Sequence, residues 1–389
     1  MTPRVAVVHP LLIAGGGSEA CALATIRALQ DDHRVTLITM GRPDVLALSL
    51  KYRLEIDLAK IETRFLAIPP GTRNRFDALR GFPLARYCRR HVRDFDVMIS
   101  AYNVMDFGIP GIQMIADFSF DDALRRELDF ASGAAEGVFQ RPSAGRRIYL
   151  GLAGALAGDR EGGWKRNRTV ANSRWTRSLL REKFSVDSEV VYPPVAGDFP
   201  CVPWNEREDG FVIMGRLVPE KGIRFVIDIL SEVRKVKPVH LHIIGRRSRS
   251  AYALELEDLC RKVGDWVHLE GELYGPEKDA FLGGHKYGIS GHRAEAFGIA
   301  VAEMVKAGMV VWVPDGGGQT EIVDHPSLVY SGRDHAASLI LGALCDDRAE
   351  ADIKRHLEER AEAFSAGRFT GEIRTVVRNF LGGNSDGTA

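Results

Sequence analysis

Short runs of strand-forming residues alternate with longer helical patterns along the chain, and this alternation constrains the fold more than any other feature. Parallel strands need long crossovers and are buried on both faces, so continuous apolar runs between helices indicate parallel sheets covered by helices. The first half has predicted helices at 18–31 and 174–184 and predicted strands at 4–10, 34–40, 95–103, 111–117, 168–173 and 188–194. The pattern starts again in the second half, with predicted strands at 210–217, 239–247, 267–272, 286–291 and 309–317.

The segment 192–209, "YPPVAGDFPCVPWNERED", separates the two halves. It is rich in proline and charge and has no periodicity, which is typical of a linker. A chain of 389 residues is also too long for one hydrophobic core. We therefore predict two Rossmann-like doubly wound domains, 1–195 and 196–370, facing across a cleft that binds ligands at the carboxyl ends of their strands. Residues 371–389 are expected to form a helix that packs back on the first domain, followed by a disordered tail.

The composition excludes several classes of protein. Lys+Arg and Asp+Glu are equal at 52 each, which argues against a nucleic-acid partner. The five cysteines are scattered, without a C-x-x-C pair, which favours a reducing cytoplasm over a disulfide framework or a zinc site. No apolar run approaches the roughly 20 residues that span a bilayer; the longest is "IYLGLAGALAG" at 148–158. The expected protein is soluble and cytoplasmic.

Two strand-to-helix turns carry features that suit an anionic ligand. In "HPLLIAGGGSEA", Gly15 to Gly17 allow a close backbone approach, and Ser18 stands where it could cap the next helix. The spacing is not G-x-G-x-x-G, which argues against a dinucleotide and an NAD-dependent oxidoreductase. In "MGRLVPEKG", Lys221 is predicted in the first helical turn, the wrong end of the helix dipole for a cation. An anion held by Arg216 and Lys221, such as a diphosphate, would explain it.

The stretch "HRAEAFGIAVAEMVKAG" places two carboxylates eight residues apart around a predicted apolar helix. Glu295 precedes the helix and Glu303 lies on its second turn, while Gly298 leaves room for a ligand at the helix N-terminus. A buried carboxylate needs a partner, and sugar or ribose hydroxyls are suitable donors. The alternatives are a flexible turn for the first glycine segment, a solvated Lys221 paired with Glu220, an N-cap role for Glu295 and a structural salt bridge for Glu303.

Taken together, these motifs resemble a known family. The spacing E-x7-E from Glu295 to Glu303, the pattern G-R-x4-K from Gly215 to Lys221, and G-G-x-x-E at 317–321 resemble the retaining GT-B glycosyltransferases of family 4, also called group 1. The resemblance is most specific over about 168–330. "NSRWT", "YPP" and "HRAEAFGIAVAE" are most similar to the mannosyltransferases that extend lipid-linked oligosaccharides on the cytoplasmic face of membranes. The resemblance implies an N-terminal acceptor domain and a C-terminal donor domain.

The resemblance also implies a role for each matching residue. Arg216, Lys221 and Glu295 form the catalytic set, in which the two cations stabilise the departing diphosphate and Glu295 contacts hydroxyls of the donor sugar. Glu303 would hold the ribose hydroxyls. The other donor-binding residues are Gly16, Gly17, Gly215, Arg246, Phe297, Gly298 and Ile299. Many family members have a histidine in the first domain where this chain reads "IADFSFDD"; Asp117 is the expected substitute, with His9 and His292 as further candidates.

The expected chemistry needs neither a metal nor a cofactor besides the substrate, a UDP- or GDP-linked sugar. Fixed cations and helix N-termini stabilise a leaving group directly, and "DFSFDD" lacks the strand-flanked D-x-D of metal-dependent transferases. We therefore predict a retaining hexosyltransferase of the mannose or glucose type. A protein that binds nucleotide sugar without turnover is the non-catalytic alternative.

The charge of the first half is uneven and bears on the acceptor. Residues 60–94 contain nine basic side chains against three acidic ones, and residues 141–168 contain seven against two. Such a surface fits an anionic membrane or a lipid diphosphate, so we predict a peripheral protein with a lipid-linked glycan or polysaccharide precursor as its acceptor. A solvated basic face with a small soluble aglycone as acceptor is the alternative.

Overall fold

The computed structural model describes residues 2–12, 16–68, 77–131, 143–247 and 250–383. The chain divides into two compact units: 1–122 with 138–194 and 366–389 form the first, and 123–137 with 195–365 form the second. Gly15 and residues 384–389, most of the predicted tail, lie outside the described residues.

The first unit is built on a parallel sheet of seven strands in the order β3-β2-β1-β4-β5-β6-β7. The strands are β1 (Arg4–Leu11), β2 (Arg34–Met40), β3 (Ile61–Leu66), β4 (Val97–Ser100), β5 (Ile112–Ile115), β6 (Arg168–Ala171) and β7 (Glu189–Val190). Strand order reverses between β1 and β4, which pair directly. In such sheets the crevice at the carboxyl ends of these two strands is the usual ligand position.

Among the described residues, six α-helices connect or follow these strands in the N-terminal half of the chain. They are α1 (Gly17–Leu29), α2 (Val45–Lys51), α3 (Asp77–His91), α4 (Asp122–Ala131), α5 (Ala144–Ala157) and α6 (Arg174–Phe184), with α7 (Ile223–Arg234) opening the second half. Helix α1 covers the sheet with side chains that are 0% exposed, including Leu23, Ile26 and Leu29. Burial of each such side chain stabilises the folded state by about 1.5–3 kcal/mol.

The second unit has a parallel sheet of six strands in the order β10-β9-β8-β11-β12-β13. The strands are β8 (Glu208–Met214), β9 (His240–Ile244), β10 (Val267–Gly271), β11 (His285–Ile289), β12 (Val310–Pro314) and β13 (Val329–Tyr330). Its further helices are α8 (Ala251–Val263), α9 (Gly275–Gly283), α10 (Ile299–Lys306), α11 (Gln319–Val323), α12 (Arg333–Leu344) and α13 (Asp347–Ala361). Strand order reverses between the neighbours β8 and β11.

The last helix, α14 (Ala366–Gly383), belongs to the first unit although it follows the second in sequence. Its apolar residues Phe369, Ile373, Val376 and Val377 are at most 3% exposed and lie in the same core cluster as α1. Arg374 also donates a 2.7 Å hydrogen bond from Nε to the carbonyl oxygen of Ala28. The first unit is therefore assembled from both ends of the chain.

Candidate active site

Glycines bring together the two loops that follow β8 and β11, at the point where strand order reverses in the second unit. A Cβ on Gly222, whose φ is +63°, would lie 2.4 Å from the carbonyl oxygen of Gly291. A Cβ on Gly291 would in turn lie 2.7 Å from the carbonyl oxygen of Gly222. Real Cβ atoms do not tolerate such distances, so the close approach of the two loops depends on glycine at both positions.

This approach places Lys221 against Glu295. Lys221 Nζ donates to Glu295 Oε2 at 2.5 Å, and His292 Nδ1 lies 2.9 Å from the same oxygen and 3.4 Å from Nζ. The side chains of Lys221 and Glu295 are 22% and 25% exposed, so both can still reach a ligand. Two of the predicted catalytic residues and the further candidate His292 thus form a single hydrogen-bonded cluster.

The local backbone around Lys221 differs from the predicted one. Lys221 ends a 3-10 turn, Pro219–Lys221, and α7 starts two residues later at Ile223, because Gly222 adopts a left-handed conformation that interrupts the helix. Lys221 therefore precedes the helix and does not lie in its first turn. Its partner is Glu295, whereas Glu220, the partner in the solvated-lysine interpretation, lies 3.8 Å from Arg216.

The electrostatic surroundings keep Glu295 ionised. Burial alone would raise its pKa, but attraction to Lys221 and the hydrogen bond from His292 outweigh burial and hold the pKa of Glu295 well below its ordinary value of 4.5. A group with a depressed folded-state pKa contributes stability above its unfolded pKa, and this contribution is lost as the pH falls through the folded value.

We predict from this that the stabilising effect of Glu295 depends on pH. The difference in melting temperature between the wild type and Glu295→Gln should be constant from pH 7 to about 5 and shrink steadily below pH 4.5, where the unfolded carboxylate takes up its proton. Thermal unfolding from pH 7 to 3, monitored by circular dichroism, measures this difference in melting temperature. Glu277→Gln, at an exposed position on α9, is the control. A difference that does not change with pH would contradict the prediction.

The segment that carries Glu295 is held by the glycine turn after β12. Gly318 N donates to the carbonyl oxygen of Glu295 at 2.8 Å, and a Cβ on Gly317 would lie 2.4 Å from that same oxygen. Gly298, with a φ of +104°, occupies the N-cap position of α10, so Glu295 is not the helix cap that one alternative proposed. The glycines of this turn therefore position the backbone of Glu295.

The neighbours of Gly298 differ in exposure. Phe297 is 2% exposed and packs against the ring of Phe364 with centroids 5.7 Å apart. Ile299 is half-buried and begins α10, whose first amide groups have no partners within the helix. A helix N-terminus of this kind favours anions, and this one starts four residues after Glu295.

The carboxylate of Glu303 already has a charged partner, Lys278 of α9. Lys278 Nζ donates to Glu303 Oε1 at 2.7 Å, and the two side chains are 20% and 16% exposed. Burial raises the pKa of Glu303 above its ordinary value, although Lys278 acts in the opposite direction. The salt bridge required by the structural interpretation of Glu303 therefore exists, and sequence reasoning missed Lys278 because no spacing rule links residues of two different helices.

Arg216 and Arg246 lie on the surface, outside this hydrogen-bonded cluster. Arg216 is 75% exposed, and Gly215 before it has a φ of +155°. Arg246 is 78% exposed and lies 4.0 Å from Glu272. Exposed side chains of this length can change rotamer to meet an anion at low cost, because no strong contact has to be broken.

In the first unit, the buried carboxylate of Glu19 lies at the N-terminus of α1, beside the glycine turn. Gly16 is the N-cap and Gly17 the first residue of α1, so Ser18 lies inside the helix and is not its cap. Glu19, 6% exposed, accepts hydrogen bonds from the amide of Gly16 at 3.0 Å and from Ser18 Oγ at 2.9 Å. Sequence reasoning missed Glu19, although it stands in the first helical turn, where acids are favoured.

His9 lies in the last part of β1, and Asp117 follows β5. Both are close to the β1–β4 reversal. His9 is 3% exposed, and burial lowers its pKa to about 4 against the opposing attraction of Glu19. Asp117 accepts hydrogen bonds from Asn103 Nδ2 at 2.7 Å and from Tyr102 Oη at 3.4 Å. The ring of Tyr102 lies 5.6 Å from that of His9, so Tyr102 links the two candidates. The predicted strand 95–103 included Tyr102 and Asn103, but β4 ends at Ser100 and both residues lie in the irregular loop after it, so sequence reasoning missed their role.

A family model and one curated relative match this chain. Residues 198–362 match the family described as "Glycosyl transferases group 1". A Neurospora crassa protein named GDP-Man:Man(3)GlcNAc(2)-PP-Dol alpha-1,2-mannosyltransferase is 24% identical over 384 residues, covering 81% of this chain and 67% of that protein. The matched family region includes both loops of the Lys221–Glu295 cluster as well as Lys278 and Glu303.

Solved structures share this fold over nearly the whole chain. The Anabaena protein Alr3699/HepE, crystallised with UDP-glucose, is 14% identical with a TM-score of 0.67, covering 97% of this chain and 100% of its own. Sucrose-phosphate synthase from Thermosynechococcus elongatus is 14% identical with a TM-score of 0.69, covering 98% and 100%. These likenesses confirm the predicted GT-B fold of two parallel-sheet α/β domains.

Proposed function

We propose a donor, a stereochemical course and an acceptor for this glycosyltransferase, whose residues 198–362 match the group 1 glycosyl transferase family. The enzyme would transfer a hexose of the mannose or glucose type from a nucleotide diphosphate sugar to a hydroxyl group. One observation carries the proposal: a lysine and a carboxylate from two different loops meet at 2.5 Å where strand order reverses, next to a helix N-terminus.

This cluster has the two kinds of group that a nucleotide sugar requires. Lys221 supplies a cation for the diphosphate, and the N-terminus of α10 supplies amide donors and the positive end of its dipole. Glu295, kept ionised by Lys221 and His292, supplies acceptors for sugar hydroxyls. When donor binds, its phosphate oxygens and hydroxyls would replace the direct contact between Lys221 and Glu295, so both charges would remain compensated.

The proposed reaction depends on charge stabilisation at the departing diphosphate. The bond from the anomeric carbon to the diphosphate oxygen breaks, the oxygen keeps the electron pair, and Lys221 stabilises its negative charge. The acceptor oxygen forms the new bond on the same face of the sugar through an oxocarbenium-like transition state, and its proton passes to the departing diphosphate oxygen, so the anomeric configuration is retained. This course requires a fixed cation and a helix N-terminus to stabilise the departing diphosphate. We propose that it proceeds without a metal ion.

A donor screen followed by a transfer assay tests the proposal. UDP-, GDP- and dTDP-sugars are added to the full chain, and the true donor should raise the melting temperature because it binds only the folded state. That donor should then release its nucleoside diphosphate and give a product of retained configuration by proton NMR. Binding without release would identify a non-catalytic protein, and an inverted product would refute the retaining course.

We propose a lipid-linked acceptor reached at a membrane surface. The name of the Neurospora crassa relative gives GDP-mannose as donor and a dolichol-diphosphate glycan as acceptor, which supports GDP-mannose and a lipid diphosphate as the first pair to assay. Within the described residues, no helix combines the length and apolar character needed to cross a bilayer. The contact that we propose is peripheral.

Helix α5 supports the membrane contact. Ile148, Leu152 and Leu156 recur every four residues along one face and are 64%, 59% and 46% exposed, while Ala153 and Ala157 are buried. Arg147 is exposed on the same helix. An exposed apolar stripe with an adjacent cation is typical of helices that lie in an anionic membrane interface.

The basic excess around this helix is smaller than the sequence count indicates. Arg89 forms ion pairs with Asp106 at 3.1 Å and Asp159 at 3.0 Å, and Arg166 forms a second one with Asp106 at 3.1 Å. These arginines are compensated within the protein. The apolar face of α5 is therefore expected to supply more of the binding than the net charge does.

We predict that Ile148→Ser/Leu152→Ser weakens binding to vesicles of phosphatidylcholine and phosphatidylserine by about tenfold or more, since burial of each side chain is worth about 1.5–3 kcal/mol at most. Val236→Ser/Leu254→Ser removes two side chains of similar exposure, 63% and 52%, in the second unit and should bind like the wild type. Co-sedimentation measures both. Equal binding by the two variants, or no binding by the wild type, would favour a small soluble acceptor.

A further inference from the structure

Three histidines and a glutamate meet at the amino ends of the strands in the second unit. Glu208, His240, His242 and His285 each offer one ligand atom, and these four atoms all lie within 4.8 Å of one another. Strand register brings them together, because Glu208 of β8 pairs with His285 of β11 and Gly210 of β8 pairs with His240 of β9.

This cluster is remote from the Lys221–Glu295 cluster. Glu208 is the first residue of β8, whereas the loop that carries Lys221 follows the last one, Met214. A strand rises about 3.3 Å per residue, so the two ends of β8 are about 20 Å apart. The histidine cluster is therefore not part of the donor site proposed above.

Gly210 provides the space in which the histidine rings meet. A Cβ at this position would lie 2.4 Å from His240 Nε2 and 2.9 Å from His285 Cδ2. Because residues two apart in a strand share a face, Glu208 and Gly210 point to the same side of the sheet. A side chain at position 210 would thus fill the space between the rings.

The hydrogen bonds of two rings determine which nitrogen can bind a metal. His285 Nδ1 lies 2.7 Å from the carbonyl oxygen of Phe281, and His242 Nδ1 lies 2.7 Å from Glu270 Oε1. Both oxygens accept only, so each Nδ1 carries the proton, and in the neutral ring the lone pair is on Nε2. A metal-binding histidine usually donates a hydrogen bond from its other ring nitrogen to a carboxylate or a backbone carbonyl, as both rings do here.

The two Nε2 atoms are buried and have no hydrogen-bond partner among the described residues. The side chain of His285 is 5% exposed and that of His242 is 12% exposed. Leaving a buried polar atom unpaired costs free energy, so native proteins rarely do it without a reason. Two unpaired lone pairs directed into one cluster of ligands are what a cation site requires.

We propose that Glu208, His240, His242 and His285 bind a divalent transition-metal ion of the zinc class. Imidazole ligands favour zinc over magnesium or calcium, and four protein ligands are typical of a structural zinc site. A tetrahedral site needs ligand atoms about 3.4 Å apart, and Glu208 Oε2 already lies 3.4 Å from His240 Nε2 and 3.7 Å from His285 Nε2. The ion would tie together the amino ends of β8, β9 and β11.

Zinc titration of tag-free full chain, stripped with EDTA and desalted, tests this site. We expect one zinc ion per chain by calorimetry, with a Kd below about 1 µM, and a rise in melting temperature of about 5 °C at 100 µM zinc, because the metal binds only the folded site. Cobalt in place of zinc should give the strong visible absorption of tetrahedral coordination. No uptake at 100 µM zinc together with an unchanged melting temperature would refute the site.

Matched variants assign the ligands. Glu208→Gln/His240→Gln changes the two more exposed ligands, 65% and 30% exposed, and should weaken zinc binding at least 100-fold while the protein remains folded. His268→Gln is the control, since its ring stacks on His242 at 4.8 Å but is not among the four. Wild-type affinity in the double variant would overturn the proposal. The donor-induced rise in melting temperature should be the same in the double variant and the wild type.

Discussion

Lys221→Ala is expected to lower kcat/KM for glycosyl transfer by about 100- to 1,000-fold, the usual effect of removing one preorganised group that stabilises developing charge. Lys221 is the cation held closest to the predicted sugar-binding carboxylate, and Glu295 and His292 fix its position through contacts of 2.5 and 3.4 Å. The departing diphosphate gains negative charge in the transition state, so the loss should fall mainly on kcat. Steady-state kinetics with the donor found in the screen measure it.

Two comparison variants show whether this loss is specific. Lys235→Ala removes a lysine from an exposed pair with Glu232 and should leave kcat/KM unchanged. Arg216→Ala should cost less than Lys221→Ala, because Arg216 is 75% exposed and lies 3.8 Å from Glu220, outside the Lys221–Glu295 cluster. An unchanged kcat in Lys221→Ala, with the protein folded, would show that the diphosphate assignment is wrong.

Glu303→Gln is expected to weaken binding of the nucleoside diphosphate by about 10- to 100-fold, because a hydrogen bond to a charged group contributes about 1.5–3 kcal/mol. The ribose hydroxyls would lose an ionised acceptor, while the amide oxygen of glutamine could still accept from Lys278, now 2.7 Å away. Burial already disfavours the charged form of Glu303 and raises its pKa. The melting temperature of the unliganded protein should therefore change by only a few degrees.

Weaker nucleotide binding together with a nearly unchanged melting temperature distinguishes a ribose-binding glutamate from a purely structural one. Removing one partner of a buried ion pair typically costs 3–5 kcal/mol, so a structural Glu303 would give a large drop in melting temperature and an unchanged Kd by calorimetry. Glu350→Gln is the matched control. Glu350 accepts hydrogen bonds from Trp204 Nε1 and Tyr287 Oη, and its replacement should leave the Kd for nucleotide unchanged.

Buried strands were predictable from sequence, whereas the edge strand β3 was not. The runs at 34–40 and 4–10 coincide with β2 and, within one residue, with β1 because both faces of these strands are apolar and buried. Strand β3, "IETRFL", was missed because it lies at the sheet edge and two of its side chains are charged and one is a threonine. Edge strands pack on fewer neighbours, so they leave a weaker hydrophobic pattern.

In the candidate site, the sequence indicated individual residues and the structure supplied their partners. Lys221 and Glu295 were each selected for an unusual position beside a glycine-rich turn, but nothing in the sequence indicated that they contact each other across 74 residues. Lys278 was missed for the same reason. The histidine cluster was also missed, because it exists only through the register of β8, β9 and β11. Contacts set by tertiary packing have no local sequence signature.

The position of α14 has a consequence for biosynthesis. The chain is made from its amino end, so residues 195–365 emerge before the helix at Ala366–Gly383 that fills the core of the first unit. The first unit therefore cannot complete its core until this helix has left the ribosome, although most of its sequence is made first. Its apolar surface, including the part of α1 that α14 covers, stays uncovered during that interval. A premature stop before Ala366 would leave the N-terminal unit unfinished while the second unit retains all of its strands.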